Sequence, residues 1–527
     1  MKHIVLPALL LAIVTGSAAD FLVRVETDPA HTAQSVAEAG LEVLAQLDSS
    51  CLAQASAADI DRLSSTFSMR MLDENPSQAL YVYVMTEPGF DRAGLSAYGR
   101  VLTEDASGVL LRTTEADVER LNQLPVELYR LSMRPMVFAP VLAPKPAAVP
   151  DSLIWLVVNR VSQDTLEANL RRLIGFYTRY TTTESCYRAM MWARERLSGL
   201  GCDSTYIDTF RNGYAPNVVG IKNGTVNPRR IYIVCGHMDN TSELAPGNFA
   251  PGSDDNASGA GTVLEVARVF ADLEFDNTVW FVLFSGEEQG LVGSDSFAYG
   301  CRQRGDSIAL AINFDMVSYG RDDSATVVWT SALPQTESLA HFFLAQADTF
   351  TDLKAKDTLF RTANSDHASF WKYGYLAIRG RYHDRTPAYH TTGDTIGPFH
   401  YTYCGTNNLP LYTEVVKATA ATLAKLAGAH RNVGAAETPD RALVAGFDCF
   451  PTVGRPPFCV NLPRPARSGI ELSDVAGRTV RVLHPDGGLR VVWDGRLEDG
   501  AAAQPGVYFI HQSGFGPAPT RKLILAE

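Results

Sequence analysis

Five short stretches in the middle of this 527-residue chain place acids and histidines directly after apolar runs. The run Arg230 to Cys235 delivers Gly236-His237-Met238-Asp239, a histidine with a carboxylate two residues on that can orient its imidazole. A glycine-rich segment carries Asp254 and Asp255 in front of a helical pattern. In isolation that pair reads as ordinary helix caps. The run Thr278 to Phe284 enters Ser285-Gly286-Glu287-Glu288, and two side-by-side carboxylates repel unless a cation is present or one keeps its proton, which implies one ligand and one proton carrier. Asp315 closes the run Ile308 to Phe314, and Tyr389-His390 precede Asp394. Together they offer two histidines, three ligand carboxylates and a spare glutamate, the inventory that a two-metal hydrolytic centre uses around a shared water.

Such groups work only if rigid elements aim them. Residues 153–431 alternate strand and helix patterns, which predicts an α/β doubly wound mixed sheet with helices on both faces, and the acids stand where open sheets of this type bind ligands. The helix after Asp255 shows its apolar face as Val263, Val266, Ala267 and Phe270.

The five motifs resemble those of the co-catalytic di-zinc aminopeptidases, a family that includes secreted bacterial leucine aminopeptidases, the yeast vacuolar aminopeptidase and glutamate carboxypeptidase. The resemblance spans roughly residues 165–430 and implies the zinc-peptidase fold with two zinc ions per chain. It further implies that His237 and Asp315 hold one zinc, that Glu288 and His390 hold the other, and that Asp254 bridges them. Glu287 would be the general base, Tyr389 the donor to a developing oxyanion, and the Asp254–Asp255 peptide bond cis. The implied substrates are peptides with a free N-terminus. Arg379, Arg381 and Arg385 precede His390 and offer a competing expectation, a carboxylate-binding patch suited to a carboxypeptidase or dipeptidase. A glutaminyl cyclase resembles the fold class but would not need the full ligand set. A binding module that has lost catalysis should lack a ligand or Glu287, and none is missing.

Flanking the catalytic segment, residues 20–136 repeat: Phe21-Leu-Val-Arg-Val-Glu-Thr-Asp-Pro29 returns as Leu80-Tyr-Val-Tyr-Val-Met-Thr-Glu-Pro88, and Ala58-Asp-Ile-Asp-Arg-Leu63 as Ala116-Asp-Val-Glu-Arg-Leu121. Two α+β subdomains are expected, without histidine or carboxylate spacing of catalytic type, and hence an accessory module. The Pro/Ala-rich residues 137–152 read as a semi-rigid linker. Residues 442–527 read as a β-sandwich, and the run Asp474 to Val482 with Trp493-Asp-Gly495 and Pro505-Gly-Val-Tyr-Phe509 resembles the immunoglobulin-like domains of the flagellar-hook-capping type. That resemblance implies sorting by secretion machinery or retention at the cell surface.

Residues 1–19 have the basic start, short apolar run and small-residue end of a signal peptide, so a secreted protein without an integral membrane segment is expected. The net charge of −12 comes with no Lys/Arg stripe, which argues against nucleic-acid binding. None of the eight cysteines forms a CxxC pair. Disulfides Cys186–Cys202 and Cys449–Cys459 are the nearest pairings, with Cys235 a free buried thiol.

Overall fold

The computed structural model describes residues 21–138, 143–320, 324–329, 333, 335–359, 364–382, 386–396 and 407–431, with parts of 448–525. The chain divides into two compact units, one ending at Arg431 and one beginning at Asn432. The signal-peptide segment lies outside the described residues. Among those described, no helix is long and apolar enough to cross a membrane.

The first unit is organised on a mixed sheet whose strands run in the order Lys354–Leu359, Ser324–Trp329, Ala377–Arg381, Ser307–Phe314, Gly224–His237, Glu274–Phe284, Asn217–Lys222, Ser204–Asp208. The four central strands, from Ala377–Arg381 to Glu274–Phe284, are parallel, so their carboxyl ends share one edge of the sheet. His237 pairs in register with Phe284, and Phe314 with Gly380, which brings the segments following each strand together. These strands read as continuous apolar runs because both faces are covered. Helices Gly259–Val269 and Leu409–Ala427 pack on the strand Gly224–His237, and Glu184–Gly199 packs on Asn217–Lys222.

Ahead of this sheet stand two antiparallel four-stranded sheets with one strand order. In the first, Phe21–Glu26 lies between Ser50–Ala55 and Met69–Glu74; in the second, Leu80–Met85 lies between Gly108–Thr113 and Glu127–Arg130. Each has a short helix capped by a hydroxyl, Ser56 bonding the amide of Asp59 and Thr114 that of Asp117. This module shares its core with the large sheet: Leu22, Leu52, Tyr81 and Leu110 belong to the same buried cluster as Ile233 and Phe281. Residues 137–152, expected as a spacer, are tied down where described, with Val137 N–H bonded to Lys372 O and Ala147 N–H to Lys425 O.

In the second unit, Asp448–Phe450, Phe458–Asn461 and Arg490–Trp493 form a three-stranded sheet, and Gly506–Gln512 lies inside a five-stranded one. Trp493 anchors its core against Phe458 and Tyr508.

The Cys186–Cys202 pairing is corrected, since both are free thiols, as is Cys235. Cys186 begins the helix Glu184–Gly199 and Cys202 follows its end. At ~1.5 Å per residue they stand roughly 20 Å apart, far beyond the ~7 Å between Cα atoms that a disulfide spans. The side chains of Cys449 and Cys459 lie outside the described residues.

Candidate metal centre

His237, at the end of its strand, turns Nδ1 toward the carbonyl of Asp239 at 3.1 Å and so presents Nε2 inward. Its partner across the cleft does the same by other means: His390 Nδ1 donates to Leu124 O at 3.2 Å, a carbonyl of the N-terminal module. Between the two imidazoles stands Asp255, with one oxygen 3.4 Å from His237 Nε2 and the other 3.4 Å from His390 Nε2. Asp315 lies 3.5 Å from His237 Nε2, and Glu288 3.0 Å from His390 Nε2. Ligand atoms of His237, Asp255 and Glu288 fall within 4.8 Å of one another, and so do those of His237, Glu287 and Asp315.

The structure therefore brings together His237, Glu287, Glu288, Asp315 and His390, with Tyr389 stacked on His390 at 3.7 Å between ring centroids. It corrects Asp254. That carboxylate points away from the histidines and accepts from Ser318 N, Ser318 Oγ and Tyr319 N at 2.8 to 3.0 Å. The place between the two histidines is taken by Asp255, and the cis bond is Asp255–Asn256 rather than Asp254–Asp255. The one-residue shift has a local cause. Asp394 binds the amides of both aspartates, and Asp255 leaves the helical region at φ −107°, ψ 93°, so successive side chains face opposite ways.

Supports that the motifs did not single out hold this geometry. Arg179 is fully buried and donates to the carbonyls of Leu173, Met238, Pro251 and Gly252, clamping the His237 loop to the Asp255 loop. Asp239 spends its carboxylate on the amides of Glu287 and Glu288, at 3.3 and 3.2 Å, and its oxygen lies 3.8 Å from the imidazole it was expected to orient. Arg379 is wholly buried and paired with Asp315 at 2.9 Å, which removes it from any carboxylate-binding patch. Arg381 donates to Tyr382 O, while Arg385 lies outside the described residues.

The electrostatics are those of a site built for cations. Burial pushes Glu287 well above the usual carboxylate range and Glu288 up to about 7. Burial opposes protonation of His390, yet Glu288 and Asp255 raise it to about 10. Burial acts to raise Asp315 too, but Arg379 and His237 hold it far below its ordinary value. So many carboxylates in one low-dielectric pocket cannot all ionise without compensating charge. Glu288 Oε1 is buried and has no hydrogen-bond partner, an orphan that a ligated ion would satisfy. The donor set, imidazole nitrogen and carboxylate oxygen with no thiolate, fits zinc or a similar divalent ion.

The N-terminal module is part of the site's walls. Glu127 and Leu128 line the same narrow cleft as His237, Asp255, Glu287, Asn364 and Tyr389.

Residues 217–409 match the model of Peptidase family M28. The chain is 27% identical over 313 residues to a probable leucine aminopeptidase of Arthroderma otae, an alignment covering 54% of this chain and 82% of that protein. A probable zinc metalloprotease of Pyrenophora tritici-repentis is 29% identical over 202 residues, 34% of this chain and 46% of that protein. Among solved structures, the LapA aminopeptidase of Legionella pneumophila superposes with a TM-score of 0.53 at 18% identity, covering 66% of this chain and 98% of that one, a likeness of fold.

Proposed function

We propose that this chain, a zinc-dependent aminopeptidase whose residues 217–409 are of the Peptidase family M28 type, removes N-terminal residues from peptides through a two-metal centre with Glu287 as general base. The observation that carries the reading is Asp255, whose two oxygens each stand 3.4 Å from a different inward-facing histidine, the placement of a bridging ligand. His237 and Asp315 would hold one ion, Glu288 and His390 the other. Bound there, the ions would supply Lewis-acid polarisation of a water and of the scissile carbonyl.

The chain's own residues do the rest. Glu287 lies within the His237–Asp315 group, and burial strengthens its hold on a proton, which suits it to accept one from the attacking water and pass it to the leaving amine. Tyr389, held against His390 and lining the cleft, can donate to the oxygen on which charge develops. Arg179 and Arg379 fix the loops and Asp315, so that little reorganisation remains when substrate arrives. In the same reading the leader-like residues 1–19 direct secretion and the C-terminal unit retains the enzyme at the surface, supported by the sequence motifs quoted for them.

The test is hydrolysis of aminoacyl p-nitroanilides beside N-blocked peptides, with metal content measured by elemental analysis. Two zinc ions per chain and cleavage of free-amine substrates alone, abolished by chelation and by Glu287→Gln, are expected. Release of C-terminal residues from blocked peptides, or a single ion at full activity, would overturn the reading.

A further inference from the structure

The two halves of the centre differ in what stands behind their carboxylates. Glu288 approaches His390 Nε2 through Oε2 at 3.0 Å and keeps Oε1 buried without a hydrogen-bond partner; among the described residues no arginine or lysine is paired with it. Asp315 faces His237 Nε2 with Oδ1 at 3.5 Å, while its Oδ2 lies 2.9 Å from Arg379 Nη2. That arginine has little freedom to leave. It is wholly buried, its Nη1 donates to Asn364 O at 3.0 Å, and the strand Ala377–Arg381 sets it in register with Asn313, two residues before Asp315. Asp315 N–H in turn donates to Gly380 O, so carboxylate and guanidinium are carried by adjoining strands of the large sheet.

We propose that Arg379 is a positioning residue that holds Asp315 to a single ligating oxygen and sets the affinity of the His237–Asp315 position for its ion below what the ligands alone would give. The inference rests on the metal-centre reading and deepens it by naming what controls one of the positions. In the metal-free protein the guanidinium supplies the counter-charge that a buried carboxylate requires. A divalent cation entering at His237 must share Asp315 with a cation already in place, and it gains only the oxygen that Arg379 leaves. Like charges about one carboxylate in a low-dielectric pocket repel, which loosens the hold on the ion. Glu287 and Asp366 also stand close to this position, and Asp255 lies between the two halves. All three are present with and without the guanidinium, so a comparison at residue 379 isolates its part. A group that merely orients a ligand acts in the opposite direction, because its loss costs metal affinity. The sign of the change therefore separates the two roles.

The experiment titrates zinc into the metal-free full chain by calorimetry against a competing chelator, with no substrate present. Glu288→Gln leaves the His237–Asp315 position to be read by itself. In that background Arg379→Met should raise zinc affinity about 10- to 100-fold, the range over which groups behind a ligand shift metal binding. In an Asp315→Asn background, where only the His390 position keeps its carboxylate, the same substitution should change affinity by about twofold or less, as for sites that do not interact. Unchanged or lower affinity in the first background, or an equal gain in both, would overturn the inference. A second readout needs no substitution and so does not depend on how the variants fold. In a crystal structure of the zinc-loaded wild type, Asp315 should meet its ion through Oδ1 alone, with Oδ2 still on Arg379. An Asp315 bound through both oxygens, or an Arg379 displaced by the ion, would refute the proposal as well. Activity enters none of these measurements. A chain that binds zinc in this way but cleaves no free-amine peptide sinks the aminopeptidase reading and leaves the role of Arg379 supported.

Discussion

The carboxyl ends of the parallel strands and the edge of the N-terminal module face each other across one cleft, and they contribute in opposite ways. The segments that follow the strand ends supply side chains whose chemistry is specialised: two imidazoles, their carboxylates and the glutamate beside them. From the module come a main-chain carbonyl on His390, a leucine wall and a single acid. The reactive groups are thus concentrated on the large sheet, and the module adds wall and backbone, fastened to it through Arg130 and Gly290.

If that division is right, substitutions on the two sides should fail differently. The largest effect is expected at the strand ends. Glu287→Gln should lower kcat by about 10²- to 10⁴-fold with the metal content retained, whereas Asp255→Asn should lose metal as well as activity. Asp254→Asn is the sharpest contrast, and elemental analysis should find its metal content unchanged. Next comes Arg379→Met, which strands Asp315 as an unpaired buried charge. In metal-free protein it should cost about 3–5 kcal/mol by denaturant unfolding, and less once the site is loaded.

Effects on the module side should be smaller and should appear in binding. Gly290 sits at φ +98°, and an added Cβ would lie 2.6 Å from Arg130 N. Gly290→Ala should therefore loosen the edge strand at a cost of roughly 1 kcal/mol or more, raising KM before it touches metal content. A drop in kcat alone would break the comparison. The mildest effect concerns Glu115, whose hydrogen bond from Arg130, opposed by burial and joined by one from Arg211, holds its carboxyl down to about 2. Because that value lies below the roughly 4.3 of an unfolded glutamate, its contribution to docking is complete above that pH. It is lost as pH falls through about 2. Proteolytic sensitivity of the module should rise over this window in the wild type and be flat in Glu115→Gln.

The sequence carried the sheet and most of its chemistry because acids after continuous apolar runs have few structural explanations. It could not distinguish Asp254 from Asp255. Adjacent aspartates look alike until the Asp394 contacts and the turn after Gly252 decide which of them faces the histidines. Arg179 was equally invisible, since its partners are main-chain carbonyls drawn from three separate stretches of the chain and leave no side-chain pattern. The repeat at 20–136 was legible from its strands, but its part in the site was not. Nothing in a strand edge's composition records what lies beside it.

The bond from His390 to Leu124 has a practical side. Its acceptor is a peptide oxygen, so any residue at position 124 that keeps the backbone path preserves it. Systematic alanine scanning would score this position as tolerant and would credit the module with little. Backbone editing, such as an insertion or a deletion between Asn122 and Val126, is the kind of change that reaches it. Libraries built from point substitutions alone will therefore undercount how much of this enzyme's active centre is donated by a segment with no catalytic side chain of its own.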